Sequence, residues 1–177
     1  MQSFPNLGAP SMNAVLFLGY DGCLHPISVE HSDNKPFLPD KSSKLFEHAP
    51  NLVALLAPYP NVDIVLSTDW VQIYGAETSS RYLPEDLRKR VVGTTDEFRG
   101  ESLKPVLMSK FDRIMRYVIC RHVRVWLALN RDDGGWPEAF MTQLVWPHPH
   151  LGIADKETRE DLKDKLYLLN ARGQRWL

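Results

Sequence analysis

The residues best placed for chemistry sit at the ends of apolar runs. Ala14-Val-Leu-Phe-Leu18 is short and unbroken, the pattern of a buried strand, and it gives way to Gly19-Tyr20-Asp21-Gly22. A strand that delivers a carboxylate at its C-terminal end is a common way to build an α/β site, and Gly22 lets the chain turn sharply beside Asp21. The pattern recurs twice. Val62–Leu66 ends in Ser67-Thr68-Asp69, and Val123–Leu129 ends in Asn130-Arg131-Asp132-Asp133. In a parallel sheet such ends converge on one crevice. Plainer readings stand beside this one. Asp21 and Asp132-Asp133-Gly134-Gly135 suit ordinary turns, and Ser67 and Thr68 suit the start of a helix.

The positioning elements alternate. Ser42–Pro58 reads as helical, with Pro50 interrupting it or starting a second segment. Trp70–Tyr74 begins a helix, and Leu83–Arg88 forms a short one with Pro84 at its first position. Val91–Gly93 reads as a third short strand. Pro105–Arg121 carries a helical period through Val106, Leu107, Phe111, Ile114, Met115 and Val118. Phe140–Trp146 reads as a strand, and Asp155–Asn170 as a final helix with Asp155 at its N-cap. Cys23–Asp40, broken by Pro26, Pro36 and Pro39, reads as a long loop or small hairpin over the first strand end. Strand and helix in alternation predict an α/β fold, a mainly parallel sheet with helices on both faces in three layers.

Composition narrows the function classes. The chain has 177 residues, 44% hydrophobic and 24% charged. That predicts a single domain over residues 13–177 behind a flexible leader of residues 1–12. A formal net charge of −1 supplies no global field toward nucleic acid or membrane. No run reaches transmembrane length, and the first ten residues lack the regions of a secretory signal. Cys23 and Cys120 match no metal spacing and read as reduced thiols of a cytoplasmic protein, Cys23 as a small buried residue rather than a nucleophile. His25, His148 and His150 read as loop histidines, and Trp126, Trp136 and Trp146 as residues that pack or flank strands rather than stack on a ligand.

Phe17-Leu-Gly-Tyr-Asp-Gly-Cys-Leu24 resembles the first motif of the haloacid dehalogenase (HAD) superfamily, an apolar strand followed by Asp-x-Asp-Gly-x-Leu. Ile64-Val-Leu-Ser-Thr68 resembles the second motif. Lys110 matches the third-motif lysine, and Val125–Asp133 resembles the acidic fourth. Leu24-His25-Pro26, Ser67-Thr68-Asp69-Trp70 and Leu151-Gly152 resemble a small bacterial HAD-like group with little or no cap. The resemblance implies a Rossmann-like (Rossmannoid) phosphatase fold without a large cap domain. It implies phosphoryl transfer in which Asp21 is the general acid and base, Ser67 and Lys110 hold the phosphate, and Thr68 and Gly22 help to bind substrate. It also implies magnesium, held by the nucleophile, by the Asp21 carbonyl and by the fourth-motif acid at Asn130, with Asp132 or Asp133 as replacements. For Lys110, which lies among Arg113 and Arg116, a solvated helix face is the plain alternative.

Two departures from the motif decide the functional expectation. The nucleophile position is Gly19, and the first fourth-motif position is the neutral Asn130. Loss of a nucleophile costs on the order of 10⁶ in rate in well-studied hydrolases. The sequence therefore predicts an impaired pseudo-enzyme that binds a phosphate-bearing ligand or a partner protein, with magnesium weakened. The alternative is an active magnesium-dependent phosphohydrolase that uses Asp21 with relocated acids.

Overall fold

The central strand of the sheet, Ala14–Leu18, pairs on both sides, and its register sets the site. The computed structural model describes residues 14–27, 29–33, 35–98, 108–132 and 134–174. β1 (Ala14–Leu18) is wholly buried and is followed by a hairpin, β2 (Glu30–Ser32) and β3 (Lys35–Phe37). Then come α1 (Ala49–Leu56), β4 (Val62–Leu66), α2 (Trp70–Tyr74), α3 (Ala76–Arg81), α4 (Glu85–Arg88) and β5 (Val91–Thr94). After α5 (Lys110–Cys120) and β6 (Trp126–Leu129), a 3-10 turn over Glu138–Gln143 leads to β7 (Leu144–Val145) and α6 (Lys156–Gln174).

The five-stranded sheet runs β5-β4-β1-β6-β7, and every pairing in it is parallel. The chain builds outward from β1 to β4 and β5, then crosses back to β6 and β7. The order therefore reverses between β1 and β6, and such a switch point opens a crevice at the carboxyl ends of the strands.

Alternation along the strands fills both faces. Leu16, Leu18, Ile64, Leu66, Leu127 and Leu129 face a core closed by α1 and by Leu162, Leu166 and Leu169 of α6. Val15, Phe17, Val65, Trp126 and Ala128 face the opposite core under Phe111, Ile114 and Tyr117 of α5. Helices cover both faces, as the alternation predicted, and no large cap is evident.

The differences from the sequence reading are local. The helix expected from Ser42 begins only at Ala49. Phe46 takes a left-handed backbone (φ 59°), which no helix continues through, and Pro50 stands at the first turn of α1. The expected strand Phe140–Trp146 shrinks to Leu144–Val145. Phe140 instead turns back on Pro137, and its ring stacks on Trp126. α5 starts at Lys110, where Ser109 and Asp112 form a reciprocal capping box; Pro105–Leu107 lie outside the described residues. α3 was not expected. Its sequence, Ala76-Glu-Thr-Ser-Ser-Arg81, has no apolar stripe to announce it. At Asp155 the carboxylate accepts the Thr158 amide at 2.8 Å, as an N-cap does.

Phe17 is fully buried, edge-on to Tyr117 at 5.6 Å and to Trp126 at 5.8 Å. Phe17→Ala should lower the free energy of unfolding by about 3–5 kcal/mol, read from urea melts. A loss near zero would mean that the α5 face does not pack as described.

Candidate functional site

The register carries three residues to the mouth side by side. Leu18 pairs with Leu66 on one side and Leu129 on the other, so residue 19 lies between Ser67 and Asn130. The ladder runs on past the strands: Gly19 N–H donates to Leu129 O (2.9 Å), and Ser67 N–H donates to Leu18 O (2.8 Å). The Gly19 backbone is outside the left-handed region, so its conformation does not demand glycine. A Cβ there would lie 3.3 Å from both Asn130 Oδ1 and Leu129 O. The Asn130 carboxamide thus leans into the space beside residue 19.

Asp21 sits one turn further on. Gly22 takes φ 70°, and a Cβ on it would lie 2.9 Å from the Arg131 side chain, so glycine is required there by both backbone and space. The Asp21 carboxylate accepts the Trp70 indole N–H at 3.0 and 3.2 Å. It also meets His25 Nε2 at 3.0 Å. The backbone N–H of Phe46 donates to His25 Nδ1 (3.4 Å), which leaves the ring proton on Nε2, facing Asp21. His25 and Trp70 are both fully buried, in a cluster with Phe46 and Tyr20. The sequence reading passed over both as site residues. The signal was available in the spacing: a histidine four residues beyond Asp21 across a glycine turn, and a tryptophan directly after the second polar strand end.

Ser67 and Thr68 are buried but differ. The Thr68 hydroxyl oxygen accepts the Trp70 amide at the start of α2 (3.3 Å). Ser67 Oγ is buried with no partner among the described residues, and so is Asn130 Nδ2. Leaving such a group unpaired costs about 1–3 kcal/mol. The Asn130 orientation is fixed, because its Oδ1 accepts the Asp132 amide at 3.1 Å.

Lys110 is buried at the start of α5 rather than spread on a solvated face. Its Nζ lies 2.7 Å from Asp69 Oδ1, which Arg113 also reaches at 3.0 Å. Burial pushes the Asp69 carboxyl up, but Lys110 and Arg113 outweigh it and hold it below its ordinary value. Burial dominates at Lys110 and pushes the ammonium below its ordinary value against the pull of Asp69. The two directions agree physically: the exposed partner gains from the pair, and the buried one loses more hydration than the pair returns. A cleft lined by Gln72, Phe98, Arg113 and Arg116 adjoins this network and does not open on Gly19. Burial pushes the Cys23 thiol up to about 12, which removes it as a nucleophile near neutral pH.

Magnesium requires several oxygens around one point. Gly19 offers no side chain, and Asn130 Oδ1 is already an acceptor. Asp21 is held by two N–H donors, Asp132 Oδ1 accepts the Gly134 amide at 2.8 Å, and Asp69 is tied to two cations. Among the described residues no three acidic, histidine or cysteine side chains gather closely enough to hold a metal. These residues do not fit magnesium. Asp133 lies outside the described residues.

The Asp69 pair sets a pH dependence. A carboxyl lowered on folding stabilises the native state above its unfolded value, and that stability is lost as pH falls toward the folded value. Asp69→Asn should therefore destabilise the protein at neutral pH by about 1 kcal/mol, a modest figure because the exposed side of Asp69 is screened. The gap to the parent should close below about pH 3.9. Urea melts across that range check both statements; a gap that widens in acid contradicts the pairing.

Searches of curated proteins and of solved structures returned no match. Residues 15–158 match the family described as the HAD domain in Swiss Army Knife RNA repair proteins, a span that runs from β1 through the mouth residues to the first turn of α6. No helix among the described residues is long and apolar enough to cross a membrane. With the motif order, the parallel sheet and a match over most of its length in agreement, the chain belongs to the HAD domain family of Swiss Army Knife RNA repair proteins.

Proposed function

We propose that this domain is a pseudo-enzyme of the HAD fold that binds the phosphorylated end of a nucleic acid and does not hydrolyse it. One observation carries the reading. At the strand end where an attacking carboxylate is needed, residue 19 has no side chain, and the Asn130 carboxamide fills the neighbouring space. Removing the attacking group in a unit of this kind costs on the order of 10⁶ in rate. Asp21 does not substitute for it, since His25 and Trp70 hold its carboxylate at the turn.

The family's link to RNA repair supports a nucleic-acid partner. So does the edge of the mouth. Trp146 follows β7 at the same carboxyl edge and is 52% exposed. Its indole N–H donates to Arg131 O (2.9 Å), and the Arg131 guanidinium lies 5.7 Å from its ring centroid. A fixed, exposed indole beside a cation is a surface on which a base stacks. The net charge of −1 hides this local arrangement of Lys110, Arg113 and Arg131.

Magnesium-dependent hydrolysis of an aryl phosphate tests the catalytic half. The parent should be inactive. Gly19→Asp alone should stay weak, because its carboxylate meets Asn130; Gly19→Asp with Asn130→Asp should gain turnover. Parent turnover abolished by Asp21→Asn would instead establish a relocated phosphohydrolase. Fluorescence anisotropy tests the binding half. A phosphorylated oligoribonucleotide should bind more tightly than the same strand with hydroxyl ends. Trp146→Ala should weaken it by roughly 5- to 100-fold without changing the affinity for inorganic phosphate.

A further inference from the structure

We propose that the cleft between α2, the carboxyl end of β5 and α5 holds one internal nucleotide of an RNA strand, with Arg116 as the cation for its phosphodiester. The inference rests on the nucleic-acid partner read above and gives that partner a second site, outside the mouth.

Three stretches of chain wall the cleft. Gln72 comes from α2, Asp96 and Phe98 from the segment that leaves β5, and Met108, Arg113 and Arg116 from the approach to α5 and the helix itself. Thr95 completes the β5 wall, and its N–H donates to Leu66 O at 2.9 Å, which fixes that wall at the end of β4. The cleft therefore lies on the same carboxyl edge as the mouth, on its β4–β5 side, whereas Trp146 lies on the β6–β7 side. The strand behind a bound end and the base beside that end have separate places.

Arg113 and Arg116 stand three residues apart, so they share one face of α5. Their guanidiniums are not equivalent. Arg113 is committed to Asp69 at 3.0 Å. Arg116 is half-buried, and among the described residues its guanidinium finds only the Met108 sulfur, at 3.9 Å. A thioether is a weak acceptor. A cation so placed has given up hydration without gaining a carboxylate, and an anion in the cleft supplies what it lacks.

Charge and shape narrow the anion. In the cleft and the network beside it, Lys110, Arg113 and Arg116 face Asp69 and Asp96, which leaves one positive charge in excess. That matches the single negative charge of a phosphodiester better than a phosphate monoester, which carries about −1.5 to −2 at pH 7. Phe98 and Met108 add an apolar wall that an inorganic anion would not need. The Phe98 ring is held by Arg121, 5.3 Å from its centroid, and by Tyr117, edge-on at 5.7 Å. A fixed ring and a thioether beside a cation suit a nucleobase attached to its phosphate.

The test measures anisotropy of a hydroxyl-ended oligoribonucleotide, which brings no end phosphate to the mouth. Arg116→Gln should weaken binding by roughly tenfold, the loss of one charge-assisted contact. It should also make the slope of log affinity against log salt shallower by about 0.7, the share of one phosphate on a single strand. Phe98→Leu, which keeps an apolar side chain and removes the ring, should weaken binding without changing that slope. Adenosine monophosphate, which has no diester, should compete only at much higher concentration than an unlabelled strand. Circular dichroism melts confirm that each variant folds. Parental affinity and slope in folded Arg116→Gln overturn the inference, and if the end-phosphorylated strand still gains affinity over the hydroxyl-ended one, the mouth reading stands without it. Adenosine monophosphate competing as well as the strand overturns the assignment to a strand. No gain from the end phosphate, with Arg116→Gln still weakening both strands, supports the cleft and overturns the mouth reading instead.

Discussion

The Asp21 carboxylate is the knot at which the mouth is tied. It takes N–H donors from His25, on the turn after β1, and from Trp70, the first residue of α2. That joins the exit of the central strand to the exit of β4 through two buried aromatic groups. His25 is held in turn by the Phe46 amide, and Phe46 takes a left-handed backbone to offer it. Strain of that kind at a bulky residue persists only where the surroundings over-determine it. Here the surroundings are the rings of Tyr20, His25, Trp70 and Tyr82 packed on Phe46. A carboxylate so held is fixed in place, because each donor it releases would be left buried and unpaired.

Much of this was legible in the sequence because it depends on the strands. Unbroken apolar runs followed by polar clusters announced β1, β4 and β6. Once those strands pair in parallel, Gly19, Ser67 and Asn130 must meet. The less legible parts depend on contacts far apart in sequence. Phe46 looked helical because it and Leu45 share the apolar spacing of Leu52, Val53, Leu55 and Leu56, whereas in the fold its ring packs on His25 and Trp70 and its backbone turns left-handed. Phe140 looked like a strand residue because aromatic residues favour sheets, yet stacking on Trp126 draws it into a turn. His25 read as a loop histidine because the Phe46 amide and the Trp70 ring that hold it lie far along the chain.

The two polar residues at the β4 end make different contacts. Thr68 spends its oxygen on the Trp70 amide and so helps to place the indole that holds Asp21. Ser67, one residue earlier, is buried and its hydroxyl has no partner among the described residues. A one-residue step along a strand end reverses the side-chain direction, and that alone separates a structural hydroxyl from an available one. Lys110 shows the same logic on α5. The helix face that looked solvated from its arginines carries its lysine inward, onto Asp69.

Gly19 and Asn130 are best understood as one change. Backbone geometry does not demand glycine at residue 19, but a Cβ there would lie 3.3 Å from two acceptor oxygens, those of the Asn130 amide and the Leu129 carbonyl, which would have to give way slightly. A carboxylate at 19 would set its charge against those oxygens unless a cation lay between them. With glycine there, the cation has nothing to bridge, and an amide at 130 costs less than an acid because it need not be neutralised. Residues 19 and 130 therefore bring no charge of their own to the strand ends. What remains beside the glycine is a pair of acceptor oxygens, one from the Asn130 carboxamide and one from the Leu129 backbone.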